Sequence, residues 1–157
     1  MKRYEKRVYY TVLHMVGNKE EARDIVQETF LRMLKGLEGL KNPHKFFPWL
    51  MKIASNLVRD HFRSHFPEEN FHGSGEEAQL VVEEGPFDRL EGLETRERLL
   101  AALALLPPRQ RMAVVLRVYN DLSFKDVAEI MDCQVATARS LFWAGVREMR
   151  KRLEVER

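Results

Sequence analysis

The chain has 157 residues, of which 45% are hydrophobic, 32% charged and 10% aromatic, as in a globular protein of one or two small domains. Its single cysteine, Cys133, excludes an internal disulfide framework and a zinc site built from several cysteines. No apolar run approaches the roughly 20 residues of a membrane span, and the charged N-terminus lacks the apolar core of a signal peptide. We therefore expect a cytoplasmic protein with no membrane span.

The net charge of +2 hides an uneven distribution along the chain. Residues 1–66 hold 13 Lys and Arg against 7 Asp and Glu, and residues 93–157 hold 12 against 9. Between them, residues 67–92 hold 1 basic residue against 8 acidic ones, with two Pro and four Gly. Basic segments suit a polyanionic partner, which an acidic segment would repel. The pattern predicts two basic domains joined by an acidic flexible linker.

Hydrophobic residues recur at helical spacing throughout the first of these domains. A first stripe ends at Gly17, and Asn18 with Glu21 predicts an N-cap followed by its capping-box partner. The apolar stripe of the second helix consists of Ala22, Ile25, Val26, Phe30, Met33, Leu34 and Leu37. A third amphipathic helix is predicted over residues 45–64.

The polar faces of the second and third helices differ in character. The second presents an acidic and apolar face made of Asp24, Gln27, Glu28 and Leu31. Its charge has the wrong sign for DNA, so it fits a protein partner or an ordinary exposed surface. The third carries one polar stripe of Lys52, Asn56, Arg59 and Arg63.

A basic and aromatic cluster stands at the start of this third helix. It comprises Lys41, Asn42, His44, Lys45, Phe46, Phe47 and Trp49. Aromatic side chains beside basic ones suit unstacked single-stranded bases. A solvated charged face over ordinary core aromatics would produce the same pattern, and a place in the core fits Trp49 and one phenylalanine best.

Helical periodicity resumes at about Glu94, and Pro107-Pro108 ends one helix and opens another. Ser123 with Asp126 predicts the start of a short helix. After a three-residue turn, residues 132–134, a long last helix is predicted from about Val135 toward position 153. No β-hairpin signal is present, so the predicted fold class is all-α.

Residues 124–143 have the pattern of a helix-turn-helix, in which a short helix, a tight turn and a second helix follow one another. Ala128 would let the two helices approach closely. Thr137, Arg139 and Ser140 stand near the start of the second helix, where base edges and phosphates would be reached. A plain helical hairpin in a structural bundle remains the alternative.

Three segments of the chain together resemble one family. Residues 22–34 (ARDIVQETFLRML) and 46–63 (FFPWLMKIASNLVRDHFR) resemble the second conserved region of bacterial extracytoplasmic-function (ECF) sigma factors. Residues 106–153, beginning LPPRQRMAVV, resemble their fourth conserved region. The resemblance covers almost the whole chain in the family's order, and it implies a region 2 domain (1–66), an acidic linker (67–92) and a region 4 domain (93–157).

The resemblance also implies a role for each surface. The acidic and apolar face, from Asp24 to Leu31, would dock on the coiled-coil clamp of RNA polymerase. The basic and aromatic cluster (apart from Phe47) and the polar stripe would melt and read the promoter −10 element, one base entering a protein pocket. The −35 element would be read by Ser123, Phe124, Thr137, Arg139, Ser140, Trp143 and Arg147. The implied partners are core RNA polymerase, promoter DNA and an anti-sigma factor, with no small-molecule substrate.

The last helix departs from the family's pattern. Leu141 and Ala144 stand where the family commonly carries basic residues, and Ala138 stands where a β-branched residue is usual. Fewer basic residues mean fewer phosphate contacts and a shallower salt dependence of DNA binding. The sequence therefore predicts a −35 contact that is weak or unusual in its sequence preference, or else an apolar surface for an anti-sigma partner.

Two other classes of protein compete with this interpretation. A helix-turn-helix regulator explains residues 122–153 but not the basic third helix or the acidic segment. An enzyme finds no support, because no phosphate loop, carboxylate pair or Ser/His/Asp set is found at diagnostic spacing, and no cofactor is expected. His61 and His65 could share a metal with His72 or Cys133, but such spacing often arises by chance, so no metal site is predicted.

Overall fold

The computed structural model describes residues 2–65 and 93–155, and all regular structure in these two ranges is helical. The predicted all-α class is confirmed. The α-helices of the described ranges are α1 (Lys2–Val16), α2 (Lys19–Gly36), α3 (Phe46–His65), α4 (Leu93–Ala104), α5 (Pro108–Val114), α6 (Phe124–Met131) and α7 (Val135–Val155). We call α1–α3 the N-terminal lobe and α4–α7 the C-terminal lobe. The predicted acidic linker lies outside the described residues.

The junction between α1 and α2 follows the capping prediction in part. Gly17 has a φ of 75°, a left-handed conformation that glycine adopts without steric cost. The Asn18 side chain accepts a hydrogen bond from the Glu21 backbone N–H (3.1 Å), which confirms the predicted N-cap. The Glu21 carboxylate does not return to Asn18, as a capping box requires. It lies 3.0 Å from His61 Nε2 and so connects α2 to α3.

The apolar stripe of α2 leaves the core before the helix ends. Leu34 and Leu37 are 57% and 44% exposed, so the prediction that they continue the stripe is wrong. The buried line passes through Thr29 and Met33, and successive residues of a helix are rotated by about 100°. Leu34 is therefore turned away from Met33. Thr29 is polar, so it does not show in the apolar pattern of the sequence. It can be buried because its hydroxyl donates a hydrogen bond to Ile25 O within the helix (2.7 Å).

In the C-terminal lobe, α5 continues into one π-helical turn, Val115–Tyr119, before the chain reverses. α6 and α7 follow, separated by a turn in which Asp132 is left-handed (φ 55°). α7 lies close against α5 because it carries Gly145 at the contact. A Cβ at this position would stand 2.8 Å from Val114 Cγ2.

The two lobes pack on each other, with α3 against α6 and α1 against the π-helical turn. Arg111 binds three backbone carbonyls from two segments of the chain although it is only 4% exposed. It donates to Met15 O at the end of α1 (3.0 Å), to Ala104 O (2.6 Å) and to Leu106 O (3.0 Å). Burial lowers the pKa of Arg111 to about 10, so the guanidinium stays charged at neutral pH.

A second polar contact between the lobes centres on Asn120, which is buried. Its side-chain Oδ1 is hydrogen-bonded to the hydroxyl of Thr11 (3.2 Å), which is also buried. Its backbone carbonyl accepts a hydrogen bond from Arg7 Nη2 (2.9 Å). The ring of His14 meets that of Tyr119 edge to face, with the centroids 5.9 Å apart. Both lobes thus contribute to a continuous core with polar groups paired across the boundary.

Candidate nucleic-acid interface

The acidic and apolar face of α2 lies on the surface. Asp24, Gln27 and Leu31 are exposed, and Glu28 forms an i,i+4 ion pair with Arg32 (3.1 Å). Leu34, which turned out to be exposed, enlarges the apolar part of this face. Exposed apolar side chains beside carboxylates are compatible with a protein partner on this face.

The basic and aromatic cluster spans the turn between α2 and α3 and the first residues of α3. Asn42 caps this turn by accepting from His44 N–H (3.0 Å), and Lys41, Asn42, His44 and Lys45 are all exposed. The rings of Phe46, Phe47 and Trp49 are half-buried and pack against the core.

The packing of these rings is specific. Phe46 and Phe47 both contact Tyr4, with centroid distances of 5.2 and 5.9 Å, and Arg7 lies 4.4 Å from the centre of Phe47. Trp49 packs on Phe46 and against Gly36 at the end of α2. Trp49 thus packs against the core without being fully buried.

The polar stripe of α3 is divided into two parts. Lys52 and Arg63 are exposed, whereas Asn56 and Arg59 are half-buried and hydrogen-bonded to each other. Arg59 Nη1 also donates to the carbonyl of Met131, the last residue of α6 (3.1 Å). The middle of the stripe therefore contacts the C-terminal lobe.

Lys45, in the turn immediately before α3, also contacts the C-terminal lobe. Its Nζ lies 3.9 Å from a carboxylate oxygen of Asp126 and 3.9 Å from one of Glu129, both on α6. The Lys45 side chain is half-exposed, so each ion pair is partly screened by water.

The helix-turn-helix has the predicted geometry. Ala128 and Ala138 are buried where α6 and α7 meet, and Ser123 caps α6 by accepting from the Asp126 N–H (3.1 Å). On α7 the exposed predicted residues are Arg139, Ser140, Trp143 and Arg147, with Thr137 half-buried beside them. Trp143 is 54% exposed, whereas Leu141 packs against the core. The apolar departure at Leu141 is therefore explained by packing.

Phe124 is a −35 candidate that is turned toward other protein side chains. The Cζ atoms of Arg139 and Arg117 lie 5.5 and 5.1 Å from its ring centre, within the range of cation–π contacts. Phe142 meets the same ring edge to face (5.4 Å). Phe124 therefore holds Arg139 at the start of α7. The sequence analysis did not single out Arg117. The signal that could have identified it is its position as a basic residue six positions before Ser123, the N-cap of α6.

The structure also bears on a metal site at His61 and on a membrane-spanning helix. His61 is paired with Glu21, and the described residues contain no group of three or more His, Cys, Asp or Glu that could hold a metal ion. Among the described helices, none is long and apolar enough to cross a membrane.

Comparison with known proteins defines the class of this molecule. Residues 1–65 match the family model of Sigma-70 region 2, and residues 96–142 match that of Sigma-70, region 4. Together with the two helical lobes, these matches define a sigma factor of RNA polymerase.

The relatives narrow this class to one family. The ECF RNA polymerase sigma factor SigW of Bacillus subtilis (strain 168) is 30% identical over 158 residues, which cover 96% of this chain and 84% of SigW. The ECF RNA polymerase sigma-E factor of Escherichia coli (strain K12) is 28% identical over 149 residues, with 88% and 76% covered. The chain belongs to the ECF sigma factor family and acts in promoter-specific transcription initiation, which confirms the resemblance.

A solved structure shares the fold. The sigma factor RpoE of Bartonella quintana, crystallised in complex with the anti-sigma factor NepR, aligns with a TM-score of 0.76 over 99% of this chain and 95% of RpoE. The two sequences are 19% identical, so this likeness concerns the fold alone.

Proposed function

We propose that the two lobes divide the work of promoter recognition. The N-terminal lobe (1–66) docks on core RNA polymerase and melts and reads the −10 element, and the C-terminal lobe (93–157) reads the −35 element. Residues 67–92 link them. The observation that carries the proposal is the separation of three chemically distinct surfaces on α2, α3 and α7. The family matches, which end at residue 65 and resume at 96, support this division.

Each surface has a chemistry suited to its partner. Asp24, Gln27, Glu28 and Leu31 offer carboxylates around an apolar centre, which suits a basic and apolar protein surface. The cluster of residues 41–49 and the stripe from Lys52 to Arg63 supply cations and aromatic rings for an unpaired strand. Arg139 is the long donor at the start of α7 that can bind a guanine edge in the major groove.

We assign to this protein the recognition of promoter DNA and of core polymerase, and no catalytic step. Sigma factors regulate initiation and are not catalysts in themselves, so we assign no catalytic residue and no cofactor. We place this activity in the cytoplasm, where core polymerase and promoter DNA are found. We assign an anti-sigma factor as a further partner, because RpoE of Bartonella quintana shares this fold and was crystallised with one.

Polymerase docking is tested by reversing charges on α2. The double variant Asp24→Lys/Glu28→Lys should bind core polymerase at least about 10-fold more weakly, because like charges across an interface are repulsive. Glu5→Lys, an exposed reversal on α1, is the matched control and should bind as the wild type does. Unchanged core affinity in the double variant would contradict the assignment, and failure of the wild type to bind core would favour a conventional helix-turn-helix regulator.

The −10 assignment is tested with Asn56→Ala and Arg59→Ala. In the holoenzyme, both should reduce open-complex formation more than they reduce binding to a −35 duplex, since the two residues lie on α3. Lys52→Ala and Arg63→Ala should weaken all promoters alike and lower the salt slope, as phosphate contacts do. Wild-type open-complex yield in all four variants would contradict the −10 assignment of the stripe.

A further inference from the structure

Local hydrogen bonds shape the turn between α2 and α3 that we assign to the −10 element. Its residues 41–44 are exposed. The Leu40 N–H donates to Leu37 O (3.2 Å), and the Lys45 N–H donates to Asn42 O (3.0 Å). Bonds between near neighbours fix the shape of a turn but not its position on the lobe. That position depends on how the two ends of the turn are packed.

The end of the turn that enters α3 is held by α1. The Tyr4 ring meets Phe46 edge to face, with the centroids 5.2 Å apart, and it stacks on Phe47 at 5.9 Å. The Arg7 guanidinium, three residues along α1 and on the same face, lies 4.4 Å from the centre of the Phe47 ring. Two side chains of α1 thus hold both phenylalanines that follow the turn.

The same rings reach the other end of the turn. Phe46 packs on Trp49 with a centroid distance of 5.9 Å. Trp49 lies against Gly36 at the end of α2, where a Cβ would stand 3.3 Å from Trp49 Cζ2. A continuous line of contacts therefore runs from Tyr4 through Phe46 and Trp49 to Gly36. It joins α1 to both ends of the turn, and Tyr4 is its first member.

The two ring pairs of Tyr4 are strong enough to decide where the turn lies. One aromatic pair in such an arrangement shifts an equilibrium by roughly 2- to 13-fold beyond the burial of its area, so two pairs correspond to roughly 5-fold at the least. A turn that is already held in place binds a strand without first bearing the entropic cost of becoming ordered. Loss of the Tyr4 ring would therefore weaken strand binding by the turn.

We propose that Tyr4 is a positioning residue for the −10 element, which holds the turn between α2 and α3 where its exposed side chains can bind the unpaired strand. This inference rests on the proposed function of that turn. Tyr4 acts through Phe46 and Phe47, and no contact with DNA is assigned to it. Helix α1 is then one more element on which promoter recognition depends.

The first test removes the Tyr4 ring and then restores it. In the holoenzyme, Tyr4→Ala should lower open-complex formation at least about 5-fold, while binding to core polymerase and to a −35 duplex stays as in the wild type. Tyr4→Phe keeps both ring contacts and should restore the wild-type yield. Tyr9→Ala is the matched control and should leave the yield unchanged, since Tyr9 is a half-buried tyrosine of the same helix that packs on Tyr10.

Three outcomes of this test would overturn the proposal. They are a wild-type yield in Tyr4→Ala, an equal loss in Tyr9→Ala, and a failure of Tyr4→Phe to restore the yield. If circular dichroism shows that Tyr4→Ala has lost helix, Tyr4→Leu takes its place, because leucine keeps apolar bulk without a ring. Tyr4→Leu should lower the yield at least about 2-fold, and a wild-type yield in that variant would equally overturn the proposal.

The second test asks whether Tyr4 acts through the turn. Lys41→Ala/His44→Ala removes two exposed side chains of the turn and leaves the ring contacts in place. In that background Tyr4→Ala should lower open-complex formation by no more than about a further 2-fold, because side chains that Tyr4 positions are already missing. A full additional loss would mean that Tyr4 acts on the stability of the lobe and would contradict the positioning role.

The turn variant also separates this inference from the proposed function. If Lys41→Ala/His44→Ala lowers open-complex formation and Tyr4→Ala does not, the −10 assignment stands and the positioning role of Tyr4 fails. If the turn variant forms open complexes as the wild type does, the −10 assignment of the turn fails and the positioning role fails with it.

Discussion

The contact between Phe124 and Arg139 preorganises the start of α7, which we propose reads the −35 element. Arg139→Ala should weaken binding to a −35 duplex by about 1–3 kcal/mol, the usual value of a well-placed base contact. Phe124→Leu should weaken it less, and the two effects should not add, because the ring acts through the guanidinium. Fluorescence anisotropy over a range of salt concentrations measures both.

Arg150→Ala is the control for that experiment, since Arg150 is exposed near the other end of α7. It should change −35 affinity by no more than about 0.5 kcal/mol. Additive losses from Phe124→Leu and Arg139→Ala would instead mean that Phe124 contacts the DNA directly, as the family resemblance implies.

His14 makes stability depend on pH. Burial lowers its pKa from 6.5 to about 4, with the rings of Tyr10 and Tyr119 packed beside it. The unfolded chain therefore binds a proton first as the pH falls, and stability declines between these two pKa values. From pH 7 to pH 5 the free energy of unfolding should fall by about 2 kcal/mol more in the wild type than in His14→Gln, as measured by urea denaturation. Parallel pH profiles would contradict this.

The close contact between α5 and α7 depends on Gly145, which has no side chain. Gly145→Ala gains up to about 1 kcal/mol of helix propensity, but its Cβ would meet the stiff Val114 side chain at 2.8 Å. Overpacking costs about 1–3 kcal/mol, so a net loss of stability is expected in thermal denaturation. Adding Val114→Ala should recover part of that loss, which a double-mutant cycle detects. Gly39→Ala, with nothing within 4 Å, should be nearly neutral, and a neutral Gly145→Ala would refute the argument.

At the scale of elements, the sequence was informative wherever one local signal decided the structure. The caps at Asn18 and Ser123 and the turn after α6 follow from side chains within a few residues, so they were predictable. The exposed end of α2 and the π-helical turn after α5 were not. Both depend on where a neighbouring helix covers the surface, and that information is distributed over distant parts of the chain.

The candidate site likewise contains residues that local sequence predicts and contacts that depend on distant parts of the chain. Its exposed residues, such as Lys52 and Arg139, could be placed from helical spacing alone. The covering of Arg59 could not, because its acceptor is a backbone carbonyl on α6 that has no sequence signature. Likewise, Thr11 and Asn120 are ordinary polar residues in the sequence, and only the packed lobes make them partners.

The shared core predicts that the molecule unfolds as one unit. The only two tryptophans, Trp49 and Trp143, lie in different lobes, so each single-tryptophan protein reports on one of them. In urea, the fluorescence transition of each variant, Trp143→Phe and Trp49→Phe, should coincide with its own far-UV circular dichroism transition, because coincident probes of one protein indicate a two-state transition. Arg111→Lys should lower both midpoints together, since a lysine cannot supply the fork of donors that binds three carbonyls. A fluorescence midpoint that departs from the circular dichroism midpoint of the same variant would show lobes that unfold independently.

The covered stripe on α3 also bears on how the protein is distributed in a cell. A genome offers on the order of 10⁶ or more non-specific sites, and each basic side chain that meets a phosphate strengthens retention there. Lys45 and Arg59 are engaged with α6 of the same chain, so fewer cations of the N-terminal lobe are free for such contacts than its sequence offers. We therefore expect the protein to be retained on non-specific DNA less strongly than its number of basic residues suggests.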